Sequence, residues 1–255
     1  MNSWWIDPDL NSGIAGRVFP TMDAVFALSG ERLSRDPLSE VVRVEYEGVR
    51  YYVKRYAGNG KNARKQRYGL RQWLAPPRVK IERRNLLLFQ KWGIPTARLA
   101  AYGLERERGA YRRGVLVTEE IRNTRDLAKL AEQGDARLRD SHWVAEISAQ
   151  VARITRRMHA EGFVHNDLKW RNLLVSEGDS PTVYLIDCPS GGFWYQPFLS
   201  YRIIKDLACL DKVAKRLLRR SQRLHFYLDY VQRDRLNPGD KERVRRIVKF
   251  FEGRE

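Results

Sequence analysis

The sequence predicts an α+β protein in which a strand-rich first half precedes a helix-rich second half. Short β-rich runs dominate up to about residue 120, and apolar residues at helical spacing dominate afterwards. Because strands and helices separate along the chain in this way, we expect two lobes around a cleft. The predicted N-lobe covers residues 1–120 and the predicted helical C-lobe covers residues 121–255, together forming one domain.

The first half contains one hairpin, one further strand and one helix. Val41–Tyr56 holds two apolar-rich runs separated by Glu47-Gly48, which predicts a β-hairpin. Gly114–Ile121 predicts a strand, and Lys80–Trp92 predicts a helix that Gly93 ends.

The second half is dominated by helices. His142–Glu161 and Ile203–Leu218 each carry apolar residues three or four positions apart, and Lys241–Phe251 predicts a last short helix. Between them, Thr182–Asp187 predicts a short buried strand.

Composition excludes several classes of protein. The chain has 255 residues, 43% of them apolar, which is enough for a packed core and excludes an intrinsically disordered chain. No apolar run reaches the length of a membrane span and no secretory signal is visible, so we expect a cytoplasmic protein. Two cysteines, Cys188 and Cys209, are too few for a disulfide framework or a four-ligand zinc site.

The net charge of +17 indicates an anionic partner. Nucleic acid, an anionic membrane surface and a phosphorylated substrate all satisfy that requirement. From Lys54 to Lys80, both included, there are nine basic residues and no acidic one, and the segment 55–80 is interpreted as a basic insertion carrying aromatic side chains. A second basic cluster comprises Lys212, Lys215, Arg216, Arg219, Arg220 and Arg223. Each cluster is either a solvated face or a contact with an anionic glycolipid and its bilayer.

The densest polar cluster is His165-Asn166-Asp167-Leu168-Lys169-Trp170-Arg171-Asn172, flanked by apolar runs, and Asp187 follows at the end of the next apolar run. Phosphoryl transfer requires a carboxylate to orient the attacking hydroxyl, a cation, and oxygen ligands for Mg²⁺. Asp167 can supply the first, Lys169 the second, and Asn172 with Asp187 the third.

This cluster resembles the protein-kinase catalytic loop H-x-D-L-K-x-x-N, and Asp187 stands where kinases have the metal-binding Asp of D-F-G. The resemblance implies a bilobal kinase-like fold with ATP and Mg²⁺. It also implies that Lys54 holds the α- and β-phosphates, with Glu82 as its helix partner. Glu119 to Ile121 resembles the hinge whose backbone receives adenine.

Further along the chain, Asp206 resembles the Asp that braces the kinase catalytic loop. A plain position on the helix surface is the alternative.

The chain departs from ordinary protein kinases in several ways. It has no Gly-rich loop, Asn166 replaces the Arg of H-R-D, Cys188-Pro189 replaces Phe-Gly, and Asp206 follows only nineteen positions after Asp187. These features are similar to those of the lipopolysaccharide core heptose and Kdo kinases and the related InaA-like proteins, over roughly residues 25 to 215.

That resemblance implies ATP-dependent phosphorylation of an inner-core sugar at the cytoplasmic face of the inner membrane. The expected partners are the anionic core saccharide and the inner-membrane surface, with no specific nucleic acid. Three other readings stay open: an atypical bacterial protein Ser/Thr kinase, a pseudokinase, and a nucleic-acid-binding protein. The sugar, the hydroxyl position and the oligomeric state do not follow from the sequence.

Overall fold

A computed structural model describes residues 3–35, 38–57, 76–107 and 110–253 of the chain. It divides into two compact units. The first comprises Met1–Leu88 and Ala97–Ile121, and the second comprises Phe89–Thr96 and Arg122–Glu255. Most of the predicted basic insertion, including Lys61, Arg64, Lys65, Arg67 and Arg71, lies outside the described residues.

The first unit is built on a six-stranded antiparallel sheet with the order β1-β5-β6-β4-β3-β2. The strands are β1 (Ser3–Ile6), β2 (Glu31–Arg35), β3 (Glu40–Tyr46), β4 (Val49–Tyr56), β5 (Leu99–Glu107) and β6 (Ala110–Glu119). The hairpin between β3 and β4 turns at Glu47 and Gly48, both with positive φ (51° and 74°), which suits a tight two-residue turn. The sequence prediction of this hairpin is confirmed.

Helices cover the sheet of the first unit. They are α1 (Pro8–Asn11), α2 (Ile14–Val18), α3 (Met22–Ala27) and α4 (Arg78–Lys91), whose last turn belongs to the second unit. The sheet residues Val53, Val115 and Val117 are fully buried against α2 and α3 residues such as Ala15 and Val25. Trp4 and Trp5 both pack against core clusters of this unit, so their burial explains the aromatic start of the chain.

The second unit is mainly helical. Its helices are α5 (Leu127–Glu132), α6 (Ser141–Ala160), α7 (Phe198–Leu217), α8 (Arg220–Val231) and α9 (Pro238–Val248). Short strands form two small sheets: β7 (Thr124–Asp126), β9 (Leu173–Ser176) and β10 (Val183–Leu185) in one, and β8 (Phe163–Val164) and β11 (Gly192–Phe193) in the other. The predicted helices correspond to α6, α7 and α9, and the predicted strand to β10. Helix α8, by contrast, was not predicted.

Helices α6 and α7 bury the apolar faces that their sequences predict. Ile147, Val151 and Met158 of α6 are buried, as are Leu207 and Leu210 of α7. Within the ranges described above, no helix is long and apolar enough to cross a membrane.

Candidate active site

The loop from His165 to Asn172 is held by a strand at each end and by a hydrogen bond to helix α7. Strand β8 leads into it and a 3₁₀ turn at Trp170–Asn172 leads out into β9. The indole of Trp170 is buried and donates to the backbone oxygen of Leu210 at 3.0 Å. The loop is therefore fixed between a strand pair and helix α7.

Asp206 of α7 fixes the start of this loop. Its side chain is fully buried, and Oδ2 accepts the backbone N–H of His165 at 2.7 Å. The same oxygen lies 3.4 Å from Nε2 of His159, whose Nδ1 lies 2.9 Å from the hydroxyl of Tyr230. Complete burial excludes the alternative of a helix-surface Asp.

Asp167 lies between two cations. Its Oδ1 is 2.5 Å from Nζ of Lys169, and its Oδ2 accepts from Nη2 of Arg171 at 3.0 Å. Burial alone raises the pKa of this carboxyl, but the hydrogen bonds and charges of Lys169 and Arg171 outweigh it and hold the pKa below its usual value. The carboxylate is therefore kept ionised and able to accept a proton. The contact with Lys169 was not predicted, and that with Arg171 could have been suspected only from its i+4 spacing.

Asn172 and Asp187 lie at the same end of a strand pair. Strands β9 and β10 are paired at Leu173 and Leu185, and beyond that pair the N–H of Ile186 donates to the backbone oxygen of Asn172 at 2.9 Å. The buried side-chain amide of Asn172 donates to the backbone oxygen of Asp167 at 2.9 Å, so its side-chain carbonyl oxygen is the atom that could bind a metal ion. Asp187 adopts a positive φ of 56°, a strained conformation for a non-glycine residue that often marks a functional site.

This donor set fits Mg²⁺, which prefers carboxylate and amide oxygens. Three or more His, Cys, Asp or Glu side chains do not converge on a metal position anywhere in the described part of the chain.

Asn166 connects the catalytic loop to the segment after Asp187. Its Nδ2 donates to the backbone oxygen of Ser190 at 2.8 Å, and its Oδ1 accepts from Nη1 of Arg202 at 2.7 Å. The guanidinium of Arg202 in turn stacks on the ring of Trp194, 3.5 Å from its centroid. Asn166 has a positive φ of 65°, which Asn tolerates better than most residues. The residue that replaces the Arg of H-R-D thus has a direct structural role.

In the first unit, Lys54 of β4 and Glu82 of α4 form an ion pair. Lys54 Nζ lies 3.1 Å from Oε1 of Glu82, and their side chains are 17% and 8% exposed. The hydroxyl of Tyr56 donates to Oε2 of the same Glu82. The structure therefore brings together the lysine and glutamate that the sequence analysis paired, and it adds Tyr56, two positions along the strand, as a third member.

In the hinge-like stretch from Glu119 to Ile121, two backbone N–H groups are already engaged in hydrogen bonds within the first unit. The N–H of Glu119 donates to the oxygen of Arg98 at 3.0 Å, and that of Glu120 donates to the oxygen of Arg50 at 2.9 Å. The expected adenine contact of Glu119 is therefore restricted to its carbonyl oxygen. Ile121, the other expected contact, is half-buried at the end of the first unit.

Two comparisons agree with this geometry. The model of the Lipopolysaccharide kinase (Kdo/WaaP) family matches residues 27–196. The chain belongs to this family. It is thus an ATP-dependent kinase with lipopolysaccharide kinase activity, and the sequence-based family assignment is confirmed.

The solved structure described as "WaaP in complex with acyl carrier protein" is similar in fold to this chain over nearly the whole length of both chains. It has a TM-score of 0.70 at 22% identity and covers 98% of this chain and 100% of that chain. This likeness confirms the predicted kinase-like α+β fold with its sheet-rich and helical units. No curated protein matches the chain significantly.

Proposed function

We propose that this kinase transfers the γ-phosphoryl group of ATP to a sugar hydroxyl of the lipopolysaccharide inner core. The observation that carries the proposal is the position of Asp167, whose carboxyl oxygens contact Lys169 and Arg171 on a loop fixed by Asp206. Asp167 orients the acceptor hydroxyl and takes its proton as the hydroxyl oxygen forms its bond to the γ-phosphorus. The bond from that phosphorus to the β–γ bridging oxygen breaks, and ADP leaves.

The other residues of the site act on charge and position. Lys169 offsets the negative charge of the transferring group, because its ammonium lies beside the proton acceptor. Asn172 and Asp187 hold Mg²⁺, which neutralises phosphate charge when it is bound. Lys54, oriented by Glu82, binds the α- and β-phosphates, and the backbone of Glu119 to Ile121 receives the adenine.

The proposed acceptor is tested with purified core oligosaccharide and labelled ATP. Asp167→Asn keeps the size of the side chain but removes the proton acceptor, so we expect turnover to fall by about 10²–10⁴-fold while ATP binding is largely kept. Asp179→Asn, at an exposed turn of the same unit, is the matched control and should retain activity. Wild-type turnover in Asp167→Asn would contradict the assignment, and transfer to extract proteins instead of oligosaccharide would contradict the acceptor.

The acceptor in cells can be identified independently. Lipopolysaccharide from cells that lack the gene should be lighter by the mass of one phosphoryl group per core. An unchanged core would contradict the proposed acceptor.

We also propose a peripheral association with the inner membrane, where the acceptor glycolipid is made. The second basic cluster supports this membrane association through some of its side chains only, because two of them are engaged in contacts within the protein. Arg223 forms a bidentate ion pair with Asp211 at 2.7 Å, and Lys212 lies 5.2 Å from the ring centroid of Phe251. Arg216, Arg219 and Arg220 are the remaining arginines of the cluster.

An acyl carrier protein is proposed as a protein partner, as in the solved WaaP complex. The support is a cavity of about 440 Å³ inside the second unit, within the size range of ligand pockets. Its lining is mainly apolar, and it includes Leu127, Ile147, Leu207, Leu210, Leu224 and Ile247. Burial of an acyl chain in such a cavity contributes roughly 0.8 kcal/mol per methylene group.

Co-purification with acylated and unacylated carrier protein tests this partner. Leu224 lines the cavity and is 39% exposed, whereas Leu217 is 42% exposed and does not line it. We expect Leu224→Glu to weaken binding of the acylated form and Leu217→Glu to leave it unchanged. Equal binding by the acylated and unacylated forms would contradict a role for the cavity.

A further inference from the structure

The segment that follows Asp187 exposes several aromatic side chains. Phe193, Tyr195, Phe198 and Tyr201 are 47%, 83%, 65% and 47% exposed. The other large apolar side chains that are exposed among the described residues are less exposed and all aliphatic: Leu33, Leu87, Leu217, Leu224 and Val248. Exposed aromatic residues concentrated within nine positions indicate a contact surface rather than the scattered apolar exposure of any protein.

This aromatic segment, residues 193–201, is anchored at one end and exposed at the other. Phe193 lies edge-on to Phe163 and Trp92, with ring centroids 5.5 Å and 6.1 Å away. The N–H of Leu199 then donates to the oxygen of Tyr195 at 3.0 Å, which closes a compact turn into helix α7. The exposed rings are therefore carried on an ordered turn and on the first helical residues, not on a long loose loop.

The same segment is fastened to the catalytic loop. Strand β11 pairs with β8, which leads directly into His165, and Trp194 donates its N–H to the oxygen of Gly162 at 2.9 Å. The Asn166 contacts with Ser190 and Arg202 add a second connection. The exposed rings therefore have a fixed position relative to Asp167, and so does any surface that binds them.

The chemistry of the segment suits the boundary between lipid and water. Tyr195 and Tyr201 combine an apolar ring with a polar hydroxyl, the combination enriched at the level of lipid headgroups. Residues 188–205 contain Arg202 and Lys205 but no acidic side chain, so the segment itself carries a positive charge that favours anionic lipids. Glu161, one residue before the Gly162 that Trp194 contacts, is ion-paired with Arg157 at 3.3 Å, and the first acidic residue after the segment is the buried Asp206.

We infer that the aromatic segment 193–201 is the surface through which this kinase docks on an anionic bilayer. The inference rests on the proposed function, because docking there brings the headgroup of a membrane-embedded acceptor to the catalytic loop. The basic segments that sequence analysis singled out, residues 55–80 and the cluster from Lys212 to Arg223, do not overlap the aromatic segment.

Vesicle binding tests the docking surface without reference to catalysis. Wild-type protein should sediment with vesicles of phosphatidylethanolamine and phosphatidylglycerol and much less with phosphatidylcholine vesicles. In the double variant Tyr195→Ser/Phe198→Ser we expect affinity for the anionic vesicles to fall at least about tenfold, because two large amphipathic rings are lost from the interface. The matched control Leu33→Ser/Leu87→Ser removes exposed apolar side chains elsewhere and should bind as the wild type does.

Kinase assays separate this inference from the proposed function. The aromatic double variant should lose activity on the membrane-embedded glycolipid and keep it on the soluble core oligosaccharide. Inactivity of the wild type on both acceptors would contradict the proposed function, while vesicle binding would still report on the docking surface. Unchanged vesicle binding of the double variant, equal loss on both acceptors, or loss of a protein partner alone would overturn the inference.

Discussion

The pair of Lys54 and Glu82 offers a quantitative test of how charge and catalysis are linked. Lys54→Met leaves Glu82, only 8% exposed, as a buried carboxylate without its cation. Breaking a buried pair by removing one partner costs about 3–5 kcal/mol. Because the hydroxyl of Tyr56 still donates to the carboxylate, we expect a loss near the lower limit, about 3 kcal/mol of the free energy of unfolding.

The reverse change should cost less. Glu82→Gln removes the Glu82 carboxylate from Lys54, but Lys54 is more exposed and its flexible stem lets the ammonium reach water, so we expect a loss of only about 1.5 kcal/mol. The double variant Lys54→Met/Glu82→Gln has no unpaired charge and should lose only about 1 kcal/mol. The expected coupling between the two positions is therefore about 3.5 kcal/mol, well outside the additivity of independent sites.

The assay is urea denaturation of the four proteins, followed by tryptophan fluorescence, with phosphoryl transfer measured in parallel. The double variant should recover most of the stability lost in Lys54→Met but none of the activity, because it still lacks the cation proposed to bind the α- and β-phosphates. The exposed pair Arg17 and Glu47, each 64% exposed, is the control cycle and should couple by less than about 0.5 kcal/mol. Additive losses at Lys54 and Glu82, or recovered activity in the double variant, would refute the reasoning.

Three further changes have defined expected outcomes. Arg171→Ala removes one of the cations that lower the pKa of Asp167, so the acid limb of the profile of kcat/KM against pH should move to higher pH. Asp206→Ala leaves the N–H of His165 without its acceptor and should lower the free energy of unfolding by about 3 kcal/mol. Asp135 has a pKa lowered from 3.8 to about 2, chiefly by its hydrogen bond with Arg137. Its contribution to the free energy of unfolding is therefore present above pH 3.8 and is lost as the pH falls towards 2. In Asp135→Asn, this part of the dependence of unfolding on pH should be missing.

Each of these outcomes has a matched comparison. Arg157→Ala removes an exposed arginine paired with Glu161 and should leave the pH profile in place. Asp206→Asn keeps an oxygen that can accept the His165 N–H, so it should be less destabilising than Asp206→Ala. An unshifted acid limb in Arg171→Ala, equal losses in the two Asp206 variants, or unchanged acid unfolding in Asp135→Asn would count against the corresponding argument.

Sequence patterns predicted those helices and strands whose signal lies within one short stretch of the chain. The β3–β4 hairpin follows from two β-rich runs around Glu47-Gly48, and α6 follows from its apolar spacing. The close contact of Lys54 with Glu82 was also expected, because the catalytic-loop motif implied a lysine on a strand and few acidic residues were available as its partner.

Other elements depend on contacts that a linear pattern does not contain. Strand β5 (Leu99–Glu107) has no alternating pattern to mark it, since its first six residues are all buried between neighbouring strands and helices. Helix α8 (Arg220–Val231) begins with charged and polar residues, so its basic start was interpreted only as part of a charge cluster. It buries Tyr227 and Tyr230, and the hydroxyl of Tyr230 contacts His159, a residue far away in sequence.

Asn166 shows most clearly why a substitution within a motif is not simply a loss. From the sequence, its place in H-N-D indicates only that the arginine able to respond to an activation-loop phosphate is missing. In the structure its amide binds Ser190 and Arg202, so the segment after Asp187 is held by the side chain next to Asp167. This segment is short and is held by the side-chain amide of Asn166, so no phosphate is needed to order it. Its aromatic rings are left exposed beside the catalytic loop. For the membrane-embedded acceptor proposed above, an exposed segment held in this way is better explained as a fixed contact with the acceptor's surroundings than as a remnant of a regulatory loop.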